Sequence, residues 1–528
     1  MTALSIILVI AGPVSLLLLG LAPSTWAERQ PLKIARSTEI AAIAGLFSAV
    51  LATWFYAEHG LIEQGFAGID VYFDALSATM LILVSFVSVI VIRYSRNYLA
   101  GDPGQGRFMK WLALTIGAVL TLIVSGNLVL FTLAWMATSL KLHQLLTFCS
   151  DRPTALIVAR KKFVISRIGD LCLILAMALI YQRFGSLRFG EIFAAADLVS
   201  TTSQSVDAGS ELSWIGILLV LGALLKSAQF PFHSWLPEVM ETPTPVSALM
   251  HAGIINAGGF LIVRMSHVMI LAPSALHLLA VLGAITALFG ALCMLTQTSV
   301  KKSLAFSTVG QMGFMMLQCG LGAFSSAILH IVAHSLYKAH AFLSSGSIVD
   351  IAKSSWVPLV RKKRDSWHLL SGFVLALVLT FSVSTLFGFT FSNHPGVLIL
   401  GVILQIALTY LLWNAIEIHI GKRLFISVSI IAVVVSLVYF ALQAAFIELL
   451  QNALPTAELA SGAFDIGLLL FVLASFMSVL WLQVRFSSDD IGSGWQSAYV
   501  HFYNGLYISS FANLLIRRYW PAKSPRHS

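Results

Sequence analysis

Residues 226–251 read Lys226-Ser-Ala-Gln-Phe-Pro-Phe-His233-Ser-Trp-Leu-Pro237-Glu238-Val-Met-Glu241-Thr-Pro243-Thr-Pro245-Val-Ser-Ala-Leu-Met-His251. An apolar span runs into Lys226, and Pro231 and Pro237 then interrupt the helix. A second apolar span begins at Pro245 and carries His251 about two turns in. A lysine at membrane depth costs about 3 kcal/mol on insertion scales, so such a residue marks a functional site by default. A broken helix at that depth is tolerated only where protein or a water-filled cavity covers the freed backbone groups, and transporters place ion sites at such breaks. The alternative is a structural lysine paired with a buried carboxylate.

The rest of the chain supports a membrane setting for this stretch. Of its 528 residues, 58% are hydrophobic and only 10% charged, against about 25% charged in soluble domains. A span needs about 20 apolar residues. That rule predicts an all-α polytopic membrane protein of about 13–15 transmembrane helices, among them 162–182, 212–230, 245–267 and 324–349. The expected divisions are N-terminal spans over 1–70, a central core over 71–395, C-terminal spans over 396–485 and an interfacial amphipathic tail over 486–528. The first apolar run, Leu4 to Leu21, has its positive residues after it rather than before it, the reverse of a signal peptide. It is expected to be a retained first span with its N-terminus outside.

With loops alternating from there, the inside loops collect Arg29, Lys33 and Arg36, then Arg152, Arg160, Lys161 and Lys162, then Arg361, Lys362, Lys363 and Arg364. The outside loop around Glu58, Glu63 and Asp70 is acidic. This is the positive-inside pattern, and it puts the C-terminus on the cytoplasmic side of the membrane. The net charge of +9 is therefore a cytoplasmic face. It suits anionic membrane lipids, and the run Arg361–Arg364 is the candidate docking site for an acidic cytoplasmic partner. Few cations are left over: Lys141, Arg167 near an inner helix end, Lys226, Lys338, and Arg264, which is expected to snorkel from an outer helix end.

A second polar line, His330-Ile-Val-Ala-His334-Ser-Leu-Tyr-Lys338, puts three ionisable groups on one helix face by its spacing of four. Three such groups in register make a proton relay, although a lone histidine in an apolar helix is commonly a core residue. Asp170 is the clearest carboxylate within a span, and Lys226 is its expected partner. The cysteines Cys149, Cys172, Cys293 and Cys319 form no CxxC pair. Neither a disulfide framework nor a metal site follows, and no cofactor is expected in this chain.

These residues resemble the proton-conducting antiporter-like subunits, which include subunit five of proton-pumping NADH dehydrogenase and the large subunits of Mrp-type antiporters. The 226–251 stretch looks like the central signature of that superfamily, and KKFVISRIGD, TSVKKSLAFSTVGQMGFM and HIVAHSLYKAHAFLSSGS fit it in the same order. The resemblance implies two inverted five-helix repeats, each with a broken helix. It implies that Lys226 is the central exchanger, that His251, His330, His334 and Lys338 relay, and that Asp170 tunes Lys226. Two positions depart from the pattern. The glutamate expected after a helix-five tryptophan is Met136, after Trp135, with His143 two turns on as a candidate substitute. The segment 369–392, where the second broken helix should be, holds no lysine or carboxylate.

A narrower resemblance, in WMATSLKLHQLLTFCSDRPTALIVARKKFVISRIGDL and SAYVHFYNGLYI, is to the DabB family, membrane subunits of a bacterial inorganic carbon uptake complex. It implies a proton or sodium pathway that energises a cytoplasmic DabA-type partner, similar to a zinc carbonic anhydrase, with the zinc wholly in that partner. The rival readings are a pumping subunit of a respiratory NADH dehydrogenase or Mrp exchanger, and a passive membrane anchor.

Overall fold

The computed structural model describes residues 2–66, 69–149, 152–201, 209–346, 366–389, 395–417, 422–455, 463–486 and 493–520. Each predicted span has a helix in it, and the protein is an all-α polytopic membrane bundle. Among the described residues, nine helices are long and apolar enough to cross a membrane on length and composition alone. The others are shorter or more polar: Gly209–Lys226 ends on its lysine, Val300–Gly320 opens on Lys301 and Lys302, and Phe324–Leu343 carries the histidine line.

The departure from pure helix is an antiparallel hairpin, Ile62–Phe66 with Ile69–Phe73. It occupies the acidic loop, where Asp70 accepts a hydrogen bond from Asn127 Nδ2 at 2.7 Å and lies 3.5 Å from Arg188 Nε. Asn127 in turn caps the helix Leu128–Leu146 by accepting from Leu130 N at 2.7 Å.

Two expectations about cations are corrected. The span predicted over 162–182 is the longer helix Pro153–Phe184, with proline at its first turn. Lys161 and Lys162 are therefore not loop charges; they are 2% and 3% exposed inside the bundle. Arg264 does not snorkel. It is buried and pairs with Asp74 through two contacts, Nη1 to Oδ2 at 2.7 Å and Nη2 to Oδ1 at 3.1 Å. Asp74 also caps the helix Ala75–Tyr98, accepting from Ser77 N at 2.8 Å. The partner lies 190 residues away in sequence, beyond the reach of local pattern.

Pro273–Thr296 and Val300–Gly320 pack at close range along glycines. A Cβ on Gly290 would meet Gly310 N at 2.3 Å, and one on Gly313 would meet Ala287 N at 2.4 Å. Backbone stands against backbone, so no side-chain rotamer can make room. Gly290→Val is expected to lower stability by at least about 1–3 kcal/mol, read as a lower melting temperature of the detergent-solubilised protein.

The tail forms two helices, Ser493–Tyr503 and Ile508–Tyr519, linked through Gly505–Tyr507. Neither is long enough to span. They strap across one end of the bundle: Tyr499 Oη donates to Thr296 O at 3.0 Å, and Ser509 Oγ to Ser234 O at 3.3 Å. The docking candidates Arg361, Lys362, Lys363 and Arg364 lie outside the described residues.

Candidate functional site

The helix Gly209–Lys226 stops at its lysine because the next residues cannot continue it. Ala228 takes a positive φ of 50°, a strained conformation for a residue with a Cβ, and Pro231 offers no N–H. Short turns over Phe232–Ser234, Trp235–Glu238 and Val239–Glu241 follow. The next span is also broken. Thr244–Ala252 ends after His251 at Gly253, and a 3-10 turn over Ile254–Asn256 leads into Ala257–Arg264.

The groups freed by these two breaks find side-chain partners. Phe230 N donates to Thr286 Oγ1 at 3.1 Å, and Ser227 Oγ donates to the Ile255 carbonyl at 2.6 Å. Asn256 Nδ2 donates to the Ala252 carbonyl at 3.1 Å and to Ser335 Oγ, on the helix Phe324–Leu343, at 2.8 Å. Irregular backbone inside an apolar bundle needs such replacements. They also place the second break between two sets of ionisable residues, with a hydrogen bond to the neighbour of Lys226 on one side and to the histidine helix on the other.

The first set surrounds Lys226, whose ammonium is buried. Its Nζ donates to the Trp135 carbonyl at 3.1 Å and lies 4.3 Å from the centroid of the Trp135 ring. Both contacts are to neutral groups, so the cation is held without being locked to one carboxylate. Asp170 acts on Lys226 through its field rather than by contact. Its direct partner is Arg167, one helical turn back, with Nη2 at 2.7 Å from Oδ2. The expected Lys226–Asp170 pair is therefore not a direct one, because the helical spacing of three delivers Arg167 first.

Lys162 belongs to this set as well. Its Nζ donates to Ser139 Oγ at 2.8 Å and to the Ser139 carbonyl at 3.0 Å, and it shares the field of Lys226, Arg167 and Asp170. The sequence reading missed it by counting it with the loop charges. Two adjacent lysines within one helical turn of a span were the available signal. His143, offered as a substitute for the absent glutamate, sits against Phe163 and in the field of Lys162. The position facing Lys226 is filled instead by the carbonyl and ring of Trp135.

The second set is the histidine line. His251 is fully buried and stacks on Phe342 with ring centroids 4.2 Å apart. It lies in the field of Lys338 and next to His334. The His334 and His330 rings are 5.9 Å apart. Lys338 Nζ donates to Ser307 Oγ at 2.9 Å and to the Leu304 carbonyl at 3.2 Å. Both nitrogens of His251 and the Nε2 atoms of His330 and His334 are buried without a hydrogen-bond partner among the described residues.

A cavity of 480 Å³ opens along this line, with His330, His334 and Lys338 on one wall. Its other polar groups include Gln311, Gln318 and Gln443, which the sequence reading did not single out. Gln443 comes from the helix Lys422–Leu450 and accepts from Ser326 Oγ at 2.7 Å. Uncharged amides and hydroxyls thus face the histidine line from Val300–Gly320 and Lys422–Leu450. Such groups can hold water or a hydrated ion without the desolvation cost of a further charge.

With this geometry in place, comparison with known proteins is informative. Residues 125–416 match the family described as NADH:quinone oxidoreductase/Mrp antiporter, and residues 66–109 match the N-terminal region of complex I chain 5. A protein of Halothiobacillus neapolitanus named as a probable inorganic carbon transporter subunit, DabB2, is 38% identical over 88% of this chain and 82% of its own. A probable inorganic carbon transporter subunit DabB of Hydrogenovibrio crunogenus is 35% identical over 88% of this chain and 89% of its own. The NAD(P)H-quinone oxidoreductase chain 5 of Synechocystis is 39% identical, but over 57% of this chain and 43% of its own.

Among solved structures, the Mrp complex of Dietzia aligns with a TM-score of 0.55 at 21% identity, over 99% of this chain and 58% of that one. An archaeal membrane-bound sulfane sulfur reductase aligns at 0.56 and 17% identity, over 94% of this chain and 99% of that one. At these identities the two structures speak for the fold alone. The two carbon transporter subunits match over most of both chains, and the quinone oxidoreductase chain over 57% of this one. The chain belongs to the NADH:quinone oxidoreductase/Mrp antiporter membrane family, and within it to the DabB subunits.

Proposed function

We propose that this chain is the ion-conducting membrane subunit of an inorganic carbon uptake complex. A proton or sodium ion passes inward by way of Lys226, Asp170, His251, Lys338, His334 and His330. Its movement energises a cytoplasmic DabA-type partner, similar to a zinc carbonic anhydrase, that hydrates carbon dioxide to bicarbonate. Hydration releases one proton for each bicarbonate formed, and the partner's zinc supplies that chemistry. This chain contributes the driving force and, in a bacterial inner membrane with its C-terminus in the cytoplasm, the docking run Arg361, Lys362, Lys363 and Arg364.

The observation that carries the reading is that two buried sets of ionisable residues meet at one backbone break. Lys226 is joined to that break through Ser227, and the histidine line is joined to it through Ser335. A fixed structural role for Lys226 calls for a direct carboxylate partner, and its contacts are to the Trp135 carbonyl and ring. Moving one charge through about 100 mV is worth about 2.3 kcal/mol, enough to bias hydration more than tenfold.

The test is carbon uptake by cells expressing the complex, before and after an uncoupler collapses the potential and the ion gradients. Uptake is expected to fall by more than about tenfold within minutes. Unchanged uptake would leave the chain a passive anchor. Repeating the assay without sodium assigns the ion.

A further inference from the structure

The tail strap closes over a second cavity that the ion pathway does not use. This space, 540 Å³, lies between the helix Ile508–Tyr519, residues 161–165 of the helix Pro153–Phe184 and the turn at Pro231 and Phe232. Its wall is mainly apolar and aromatic, with Ile165, Phe232, Phe511, Leu515 and Trp520 among its residues. On the strap, Phe511, Leu515 and Tyr519 recur every four residues, so they form one stripe. They remain 66%, 42% and 76% exposed.

Cations stand at the aromatic edge of the cavity. The Arg160 guanidinium lies 5.3 Å from the Trp520 ring centroid, and its Nη1 donates to the Trp520 carbonyl at 2.8 Å. Arg518 lies over the Tyr519 ring at 5.7 Å, beside the exposed Arg517.

This combination selects an occupant. Water gains little in such a space, because the mainly apolar walls give it few hydrogen-bond partners. A peptide segment would bury backbone groups that need partners of their own. The polar lining is limited to Lys161, Ser234 and the aromatic tips, and Lys161 Nζ already donates to Glu238 Oε2 at 2.6 Å and Asn513 Oδ1 at 2.8 Å. An alkyl chain needs no such partner, and an anionic headgroup answers the arginines.

We propose that one anionic phospholipid binds here, with an acyl chain in the cavity and its phosphate at Arg160 and Arg518. The lipid holds the strap against the broken-helix turn, to which Ser509 and Asn513 already bond through Ser234 and Glu238. The site stands whether or not the ion pathway operates as described above.

Trp520 gives the test its reporter. The full chain is reconstituted in nanodiscs containing phosphatidylglycerol or phosphatidylcholine brominated on the acyl chain. The Trp520 signal is isolated by subtracting the Trp520→Phe variant. Brominated phosphatidylglycerol at a few per cent of total lipid is expected to quench that signal, and phosphatidylcholine to do so about fivefold or more less effectively. Arg518→Gln should weaken the preference about fivefold, Ala512→Phe should remove quenching by filling the space, and added inorganic phosphate should change nothing. Equal quenching by both lipids would mean ordinary bilayer contact. Absence of quenching by either, or displacement by inorganic phosphate, would equally overturn the lipid site.

Discussion

Lys226→Ala is expected to reduce carbon uptake to the background of cells lacking the complex, while the complex still assembles and purifies. The assembly half of that expectation follows from the contacts. Lys226 gives up a hydrogen bond to the Trp135 carbonyl and a contact with its ring. Its removal also ends the cost of holding an ammonium in an apolar bundle, about 3 kcal/mol on insertion scales. Asp170 is not stranded, because Arg167 stays 2.7 Å away. The activity half follows from chemistry. An exchanger must both hold and release a proton, and alanine does neither.

Lys226→Arg sharpens the point. Arginine keeps a cation at the break but does not deprotonate in proteins, so it too should fail if the proton is exchanged there. Uptake of labelled inorganic carbon, with co-purification of the partner as the assembly control, decides both. Normal uptake by the alanine variant would remove the exchanger role; normal uptake by the arginine variant would leave Lys226 as a fixed charge.

Asp74→Ala should produce the largest loss of stability. The carboxylate receives both terminal nitrogens of Arg264 and the Ser77 amide that opens the helix Ala75–Tyr98. Removing it strands a buried guanidinium, which costs about 3–5 kcal/mol, and it removes a helix cap worth about 1 kcal/mol more. Ser77 Oγ and the rings of Tyr72, Phe189 and Phe260 still face the guanidinium but carry no negative charge. Most of the expressed variant should be lost to aggregation or degradation, measured as monodisperse protein after detergent extraction. Asp74→Ala with Arg264→Met should recover much of that protein, because the stranded charge is gone. If the double variant is no better than the single one, the cap and not the ion pair holds this corner.

The positions of the spans were legible because a bilayer demands about 20 apolar residues from each helix, a local requirement written residue by residue. The break at Pro231 was legible for a similar reason, since proline marks the chain where it stands; the one at Gly253 was not, and 245–267 was expected as a single span. His330, His334 and Lys338 were placed together by helical spacing alone, and they do share one cavity wall. Partners were a different matter. Arg264 with Asp74, Lys161 with Glu238 and Asn513, and Gln443 with Ser326 join segments far apart in sequence. Lys161 and Lys162 were misplaced because a basic pair near a predicted helix end satisfies the positive-inside pattern equally well from a loop or from the first turns of a longer helix.

The sequence by itself determined the all-α membrane bundle, the broken helix ending at Lys226 and the register of the histidine line. Each depends on local spacing and on the polarity the bilayer allows. Only the tertiary structure decided that Lys226 rests on a tryptophan carbonyl and ring, that Asp170 answers Arg167 first, that Lys162 joins them, and that the second break lies between the two ionisable sets. Those are questions of which side chain reaches which within a few ångströms. A charge or hydrogen bond is decided by separation in space, on which separation along the chain places no limit once helices have packed.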